Sequence, residues 1–96
     1  MKRRNTETLS ALLAQYLRTE GLETPLAQRR AEDAWPHIVG QQAAGCTEHV
    51  AVHGQTMVVR LSSPIVRHEL FMRREEIIEK LNTAAGRQII YNLHLT

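Results

Sequence analysis

Residues 48–61 read Glu-His-Val-Ala-Val-His-Gly-Gln-Thr-Met-Val-Val-Arg-Leu. Two short runs rich in Val and other strand formers, Glu48 to His53 and Thr56 to Leu61, flank the dipeptide Gly54-Gln55. That spacing predicts two antiparallel strands joined by a two-residue hairpin turn. In the second run Met57, Val59 and Leu61 share one face, and Thr56, Val58 and Arg60 share the other. Beyond the hairpin, Ser63-Pro64 marks a helix start, and the helical pattern continues to Ala84 or Ala85 before Gly86 stops it. On a wheel of this helix Val66, Leu70, Ile77, Leu81 and Ala84 cluster within roughly 60°. Phe71, Ile78 and Ala85 widen the apolar arc, and Arg67 and Arg74 fall inside the wider arc. Ile65 and Met72, seven residues apart, land on the polar side and are candidates for a protein contact. Gln88 to Leu95 closes the chain as a strand, with Ile89, Tyr91, Leu93 and Leu95 on one side.

Ahead of the hairpin the period is helical. Leu9, Leu12, Leu13, Tyr16 and Leu17 recur at spacings of three and four, which predicts a helix over about Thr6 to Glu20 ended by Gly21. Thr24 can cap a second helix with Pro25 at its first position, followed by Leu26, Arg30, Ala34 and Trp35. Pro36 disfavours helix at the residue before it, so a break is expected there, followed by a short helix from about His37 to Ala44. The expected architecture is α+β: N-terminal helices, then a β-β-α-β unit with a three-stranded sheet. One domain spans residues 6–96 behind a flexible basic tail, residues 1–5.

The chain is 96 residues long, 43% hydrophobic and 23% charged, the composition of a single small globular domain. No run approaches 18 apolar residues, which excludes a membrane-spanning helix. The basic start is not followed by an apolar stretch, so it does not read as a secretory signal. The lone cysteine, Cys46, excludes a disulfide scaffold and fits a reducing, cytoplasmic setting. Twelve Lys and Arg stand against ten Asp and Glu, and ten of the twelve cations are arginines. Three cations, Lys2, Arg3 and Arg4, lie in the tail, and without them the net charge is −1. Binding to nucleic acid is therefore expected to be weak and local.

His49 and His53 share a strand face, but four strand residues span roughly 13 Å, too far to chelate one ion. His94 could approach one of them, with no third ligand in view, and no metal site is expected. Cys46 has no base and orienting group at a recognisable spacing for nucleophilic catalysis. Glu75, Glu76 and Glu79 read as a solvated helix face, with Glu76 paired to Lys80 at i,i+4. Neither G-x-G-x-x-G nor G-x-x-x-x-G-K-[ST] occurs. No cofactor and no catalytic residue are expected, and the protein is read as a non-enzyme. Trp35 and Tyr91 are expected in the core, Trp35 where the second helix meets the sheet or the long helix. Candidate phosphate contacts are Arg67, Arg73 and Arg74, joined by Arg60 and Arg87 near element ends and by Lys2, Arg3 and Arg4 in the tail.

One ordered series is familiar. Trp35-Pro36-His37-Ile38-Val39-Gly40 is followed by Ala43-Ala44 and Cys46-Thr47, then by a hairpin whose second strand runs from Gly54 to Ser63. Glu69-Leu70, Ile77-Ile78, Leu81-Asn82, Gly86 and a terminal strand complete it. The series, from about Leu9 to Leu95, resembles the DciA-like family, whose bacterial members were long classed as a domain of unknown function and often labelled zinc-ribbon-containing or RNA-binding. The resemblance implies a KH-like fold, a role as loader or accessory of the replicative DNA helicase, and modest binding of single- or double-stranded DNA. A KH-like RNA-binding module is the alternative. The cysteine set of a zinc ribbon is absent here, as is the G-x-x-G loop of true KH domains. Longer members carry an extension beyond the domain, where this chain ends at Thr96.

With one cysteine and scattered histidines, folding should need no zinc. Chelator treatment is expected to leave the circular dichroism spectrum and the thermal midpoint unchanged. Stoichiometric zinc in tag-free protein would contradict this.

Overall fold

A computed structural model describes residues 2–19 and 23–96. Five helices and three strands follow in the order α1 (Lys2–Thr19), α2 (Glu23–Val39), α3 (Gln41–Gly45), β1 (Thr47–His53), β2 (Thr56–Leu61), α4 (Pro64–Met72), α5 (Arg74–Ala85) and β3 (Asn92–Leu95). The expected α+β class and three-stranded sheet are observed, with two helices rather than one between β2 and β3. β1 and β2 pair antiparallel around Gly54, whose φ of 63° suits a residue without a side chain. The register slips between Thr47 and His49, so β1 begins irregularly, one residue ahead of the expected Glu48. β3 lies parallel to β2 at the far side, giving the order β1-β2-β3. Thr96 extends this pairing: its N–H donates to the Val59 carbonyl, and its own carbonyl accepts from Leu61 N–H. The outer edge of β1 is partly closed by α2, because Val52 N–H donates to Glu32 Oε2 at 3.0 Å.

Alternation along the strands decides which sheet face is covered. Met57, Val59, Leu61 and Leu93 are buried, with Val50 and Val52 beside them. Val66, Leu70, Ile77, Leu81 and Ala85 close over them from α4 and α5, and Ala27, Ala31 and Trp35 do so from α2. Trp35 is 1% exposed, as expected. Its indole N–H donates to Thr47 Oγ1 at 3.0 Å, and that hydroxyl donates to the Ala43 carbonyl at 2.9 Å. One side chain thus joins α2, the end of α3 and the start of β1. Ser63 caps α4 by accepting from Val66 N–H, with Pro64 in the first turn. Gly86, at φ 83°, ends α5.

Several expectations are corrected. α2 continues through Pro36 and ends instead at Gly40, at φ 91°. Proline in a helix sacrifices about 3 kcal/mol and a hydrogen bond. Here the ring is exposed and lies in the last turn, while the neighbouring Trp35 is held in the core. The short helix therefore begins at Gln41, not His37, and runs to Gly45. The single helix expected over 64–85 is two helices that meet at Arg73. Arg73 N–H donates to the Leu70 carbonyl three residues back, tightening the last turn of α4. α4 packs on β2, whereas α5 packs on α2 and β3, so the two halves answer to different neighbours. Val66, Leu70, Ile77 and Leu81 are buried as the wheel predicts, whereas Ala84 and Phe71 are exposed and Ala85 is buried.

The last strand begins at Asn92 rather than Gln88, and Tyr91 is 49% exposed rather than in the core. The cause is Asn82. Its Oδ1 accepts from Ile89 N–H at 2.9 Å and Ile90 N–H at 2.8 Å, and its Nδ2 donates to the Ile90 carbonyl at 2.9 Å. The clamp holds Ile89 and Ile90 both buried, which breaks strand alternation and turns Tyr91 outward. At the other end, α1 starts at Lys2, so the backbone of the expected tail is helical over residues 2–5. The side chains of Lys2, Arg3, Arg4 and Leu17, and the expected stop at Glu20-Gly21, lie outside the described residues.

Two variants test this framework. Trp35→Ala is expected to destabilise the domain by about 3–5 kcal/mol, read by denaturant or thermal unfolding. Asn82→Ala leaves three backbone groups without their partner and is expected to cost about 2–4 kcal/mol. A near-wild-type midpoint for either variant would contradict its structural role.

Candidate protein and nucleic-acid surfaces

Every described side chain of α1 is exposed. Leu9, Leu12, Leu13 and Tyr16 lie along one face of the helix and are each 56–67% exposed. The sequence pattern correctly placed them on a common face, but that face is not covered by the domain's own core. α1 packs on α2. The molecule measures 53 Å along its longest axis against 25 and 20 Å across it, in keeping with a helix that projects from the body. Amphipathic helices of globular domains ordinarily bury such a stripe. A contiguous exposed patch of large apolar residues marks an interaction surface.

The candidate arginines do not form one cluster. Arg67, Arg73 and Arg74 meet around Phe71, a residue absent from the candidate set. Arg74 stacks over the Phe71 ring with its guanidinium carbon 4.4 Å from the ring centroid. Phe71 is itself 51% exposed. It is shared by two shallow grooves, one lined also by Pro64, Arg67, His68 and Leu95, the other by Met72, Arg73, Arg74, Glu75 and Glu76. Arg73 lies 3.6 Å from Glu76, and Lys80 lies 3.2 Å from the same carboxylate oxygen. The hydrogen bond and charge of Lys80, with Arg73 adding to them, hold the Glu76 carboxyl below the usual carboxylate range. Part of the Arg73 charge is therefore spent on Glu76. Ile65 and Met72 are exposed on α4, as the wheel predicts.

Arg60 and Arg87 sit elsewhere. Arg60 points from β2 to the sheet face opposite the buried Val59 and Leu61 and stands across from His49. Arg87 lines a groove with Arg18 and Arg30 at the end of α5, floored by Leu13, Ala14, Leu26 and Ala27. Neither Arg18 nor Arg30 was singled out from the sequence, because only the packing of α2 on α5 and of α1 on α2 brings them to the same groove as Arg87. His49, His53 and His94 share the open face of the sheet. Their ladder partners, Arg60, Thr56 and Val58, place them in three different rows. Among the described residues no group of three His, Cys, Asp or Glu side chains is placed to hold a metal ion. Cys46 is half-buried against the core. A concavity of about 600 Å³ along α5 is lined by Glu75, Glu79, Asn82, Thr83 and Arg87 among others. Asn82 is already committed to its backbone clamp.

No helix among the described residues is long and apolar enough to cross a membrane. No curated protein matches the chain. A family model does, described as Dna[CI] antecedent, DciA, and its match runs over residues 8–95. That span takes in the exposed stripe of α1, the Trp35 junction, the hairpin, the Phe71 grooves and the closing strand, and by it the chain belongs to the DciA family.

Proposed function

We propose that this protein is a non-enzymatic accessory of bacterial DNA replication that associates with the replicative DNA helicase and binds DNA modestly. The DciA family is a family of replication-related helicase loaders. The observation that carries the reading is the uncovered stripe of α1, Leu9, Leu12, Leu13 and Tyr16. Four large apolar side chains on a projecting helix suit an adaptor that buries them against another protein. Ile65 and Met72 offer a second, smaller apolar contact on α4. The arginines around Phe71 supply local positive charge on a domain whose body is close to neutral. In this division of labour one element holds the protein partner and another touches phosphate, so the domain keeps the helicase close to a DNA strand.

Two measurements test the reading. Immobilised wild-type protein should retain purified replicative helicase, and a folded Leu9→Ser/Leu12→Ser/Leu13→Ser variant should retain at least about tenfold less. Equal retention by that variant would remove α1 from the interface, and no retention by wild type would remove the helicase. For DNA, three or four neutralised phosphates predict a log–log salt slope of about −2 to −4 and micromolar or weaker affinity at physiological salt. Deleting Lys2 to Arg4 should flatten the slope, and the combined Arg67→Ala, Arg73→Ala and Arg74→Ala variant, shown to be folded, should remove most of what remains. Unchanged binding by the triple variant would exclude this arginine surface.

A further inference from the structure

Phe71 is the chain's only phenylalanine, and half of it faces water. Burying such a ring is ordinarily favourable. Phe71 lies one residue before the end of α4 and about 100° round the helix from the buried Leu70, at the edge of the packed face. The ring is not idle. Arg74 covers one of its faces at 4.4 Å. Arg67 and His68, one turn earlier on α4, line with it a groove of about 230 Å³ that also takes in Pro64 and Leu95 and contains no carboxylate. On the other side lie Arg73 and Arg74, with Glu75 and Glu76 beside them. The ring thus stands between a carboxylate-free groove carrying a guanidinium and a second guanidinium stacked on its back.

A flat apolar face bordered by arginines fits a ligand with its own flat π-face and a nearby negative charge. Nucleotides of a single strand have both, and aromatic platforms with arginine neighbours bind them without strong sequence preference. Bases inside a duplex are already stacked on one another and present no free face to Phe71. We propose that Phe71 is a stacking platform for one unpaired base of single-stranded DNA, with Arg74 backing the ring and Arg67 contacting an adjacent phosphate. Glu75 and Glu76 repel phosphate from the Arg73 side, so the strand enters over Arg67 and His68. The assignment rests on the proposal that the protein binds DNA, and it adds a preference for single strands and the residue that creates it.

The test is fluorescence anisotropy with labelled oligothymidylate and with a duplex hairpin, each over a range of salt. Phe71→Ala is expected to weaken oligothymidylate binding roughly 5- to 100-fold. Its salt slope should stay at the wild-type value, because stacking releases no counterions. Hairpin binding should be unchanged. Arg67→Ala should instead lower the slope by about 1. Phe71→Trp should keep the affinity and give an emission that oligothymidylate quenches, distinguishable from buried Trp35, which the single-strand probe does not reach. If wild type binds both probes and folded Phe71→Ala binds oligothymidylate equally well, the stacking assignment is wrong while DNA binding stands. Equal loss on both probes, or a flattened slope, would show that the ring only positions Arg74 and would also overturn it. If Phe71→Ala does not fold, an unquenched Phe71→Trp that still binds would overturn it by itself. If wild type binds neither probe, the DNA-binding proposal fails and takes this one with it.

Discussion

The amide of Asn82 joins the helical layer to the strand that completes the sheet. Two backbone N–H groups and one carbonyl of Ile89 and Ile90 are satisfied by this one side chain. Buried backbone groups must find partners, and here neither helix nor sheet supplies them. With these groups satisfied, Ile89 and Ile90 both enter the core, and the chain leaves the clamp aligned to run parallel beside β2. The sheet then has a third strand to carry Leu93 under the helices. Trp35 does comparable work at the other end, where its indole and the Thr47 hydroxyl tie α2, α3 and β1 together. Between these two anchors the core is made of ordinary aliphatic side chains.

With the body held this way, the apolar residues left outside it stand out. α1 contributes no described side chain to the core, so Leu9, Leu12, Leu13 and Tyr16 are available to a partner. Phe71 lies at the edge of the packed face of α4, half-exposed, and is backed by Arg74. The two exposed features differ in character. The α1 stripe is aliphatic apart from Tyr16, which suits close packing against protein. Phe71 is an aromatic ring with guanidinium groups around it, which suits a base and its phosphate. A single small domain can therefore present two chemically distinct faces without the G-x-x-G loop of true KH domains.

Much of this was legible in the residues. The hairpin followed from Gly54-Gln55 between two Val-rich runs, and the start of α4 from Ser63-Pro64. The end of α5 followed from Gly86, because its positive φ suits glycine. The burial of Trp35 also followed, and the ordered series of motifs pointed to the DciA family, which the match over residues 8–95 establishes. The candidate site was only half legible. Arg67, Arg73 and Arg74 could be named from their positions, but Phe71 was assigned to the widened edge of the packing arc, and half of it faces water. It stands beside a helix break with no sequence marker, since neither Gly nor Pro occurs between Pro64 and Gly86.

By itself the sequence determined what local physics controls. It set the period of each segment, the turns that need a glycine, the cap at Ser63, and the near-neutral charge of the body. Tertiary structure alone decided where competing neighbours outweighed those local preferences. α2 runs through Pro36 because Trp35 is held in the core beside it, and 64–85 divides at Arg73 because α4 and α5 pack on different elements. Tyr91 turns outward because Asn82 pins the two residues before it. Whether the stripe of α1 is covered depends on where α1 lies relative to a body it barely touches. Periodicity shows that residues share a face, and only the packed structure shows what, if anything, lies against it.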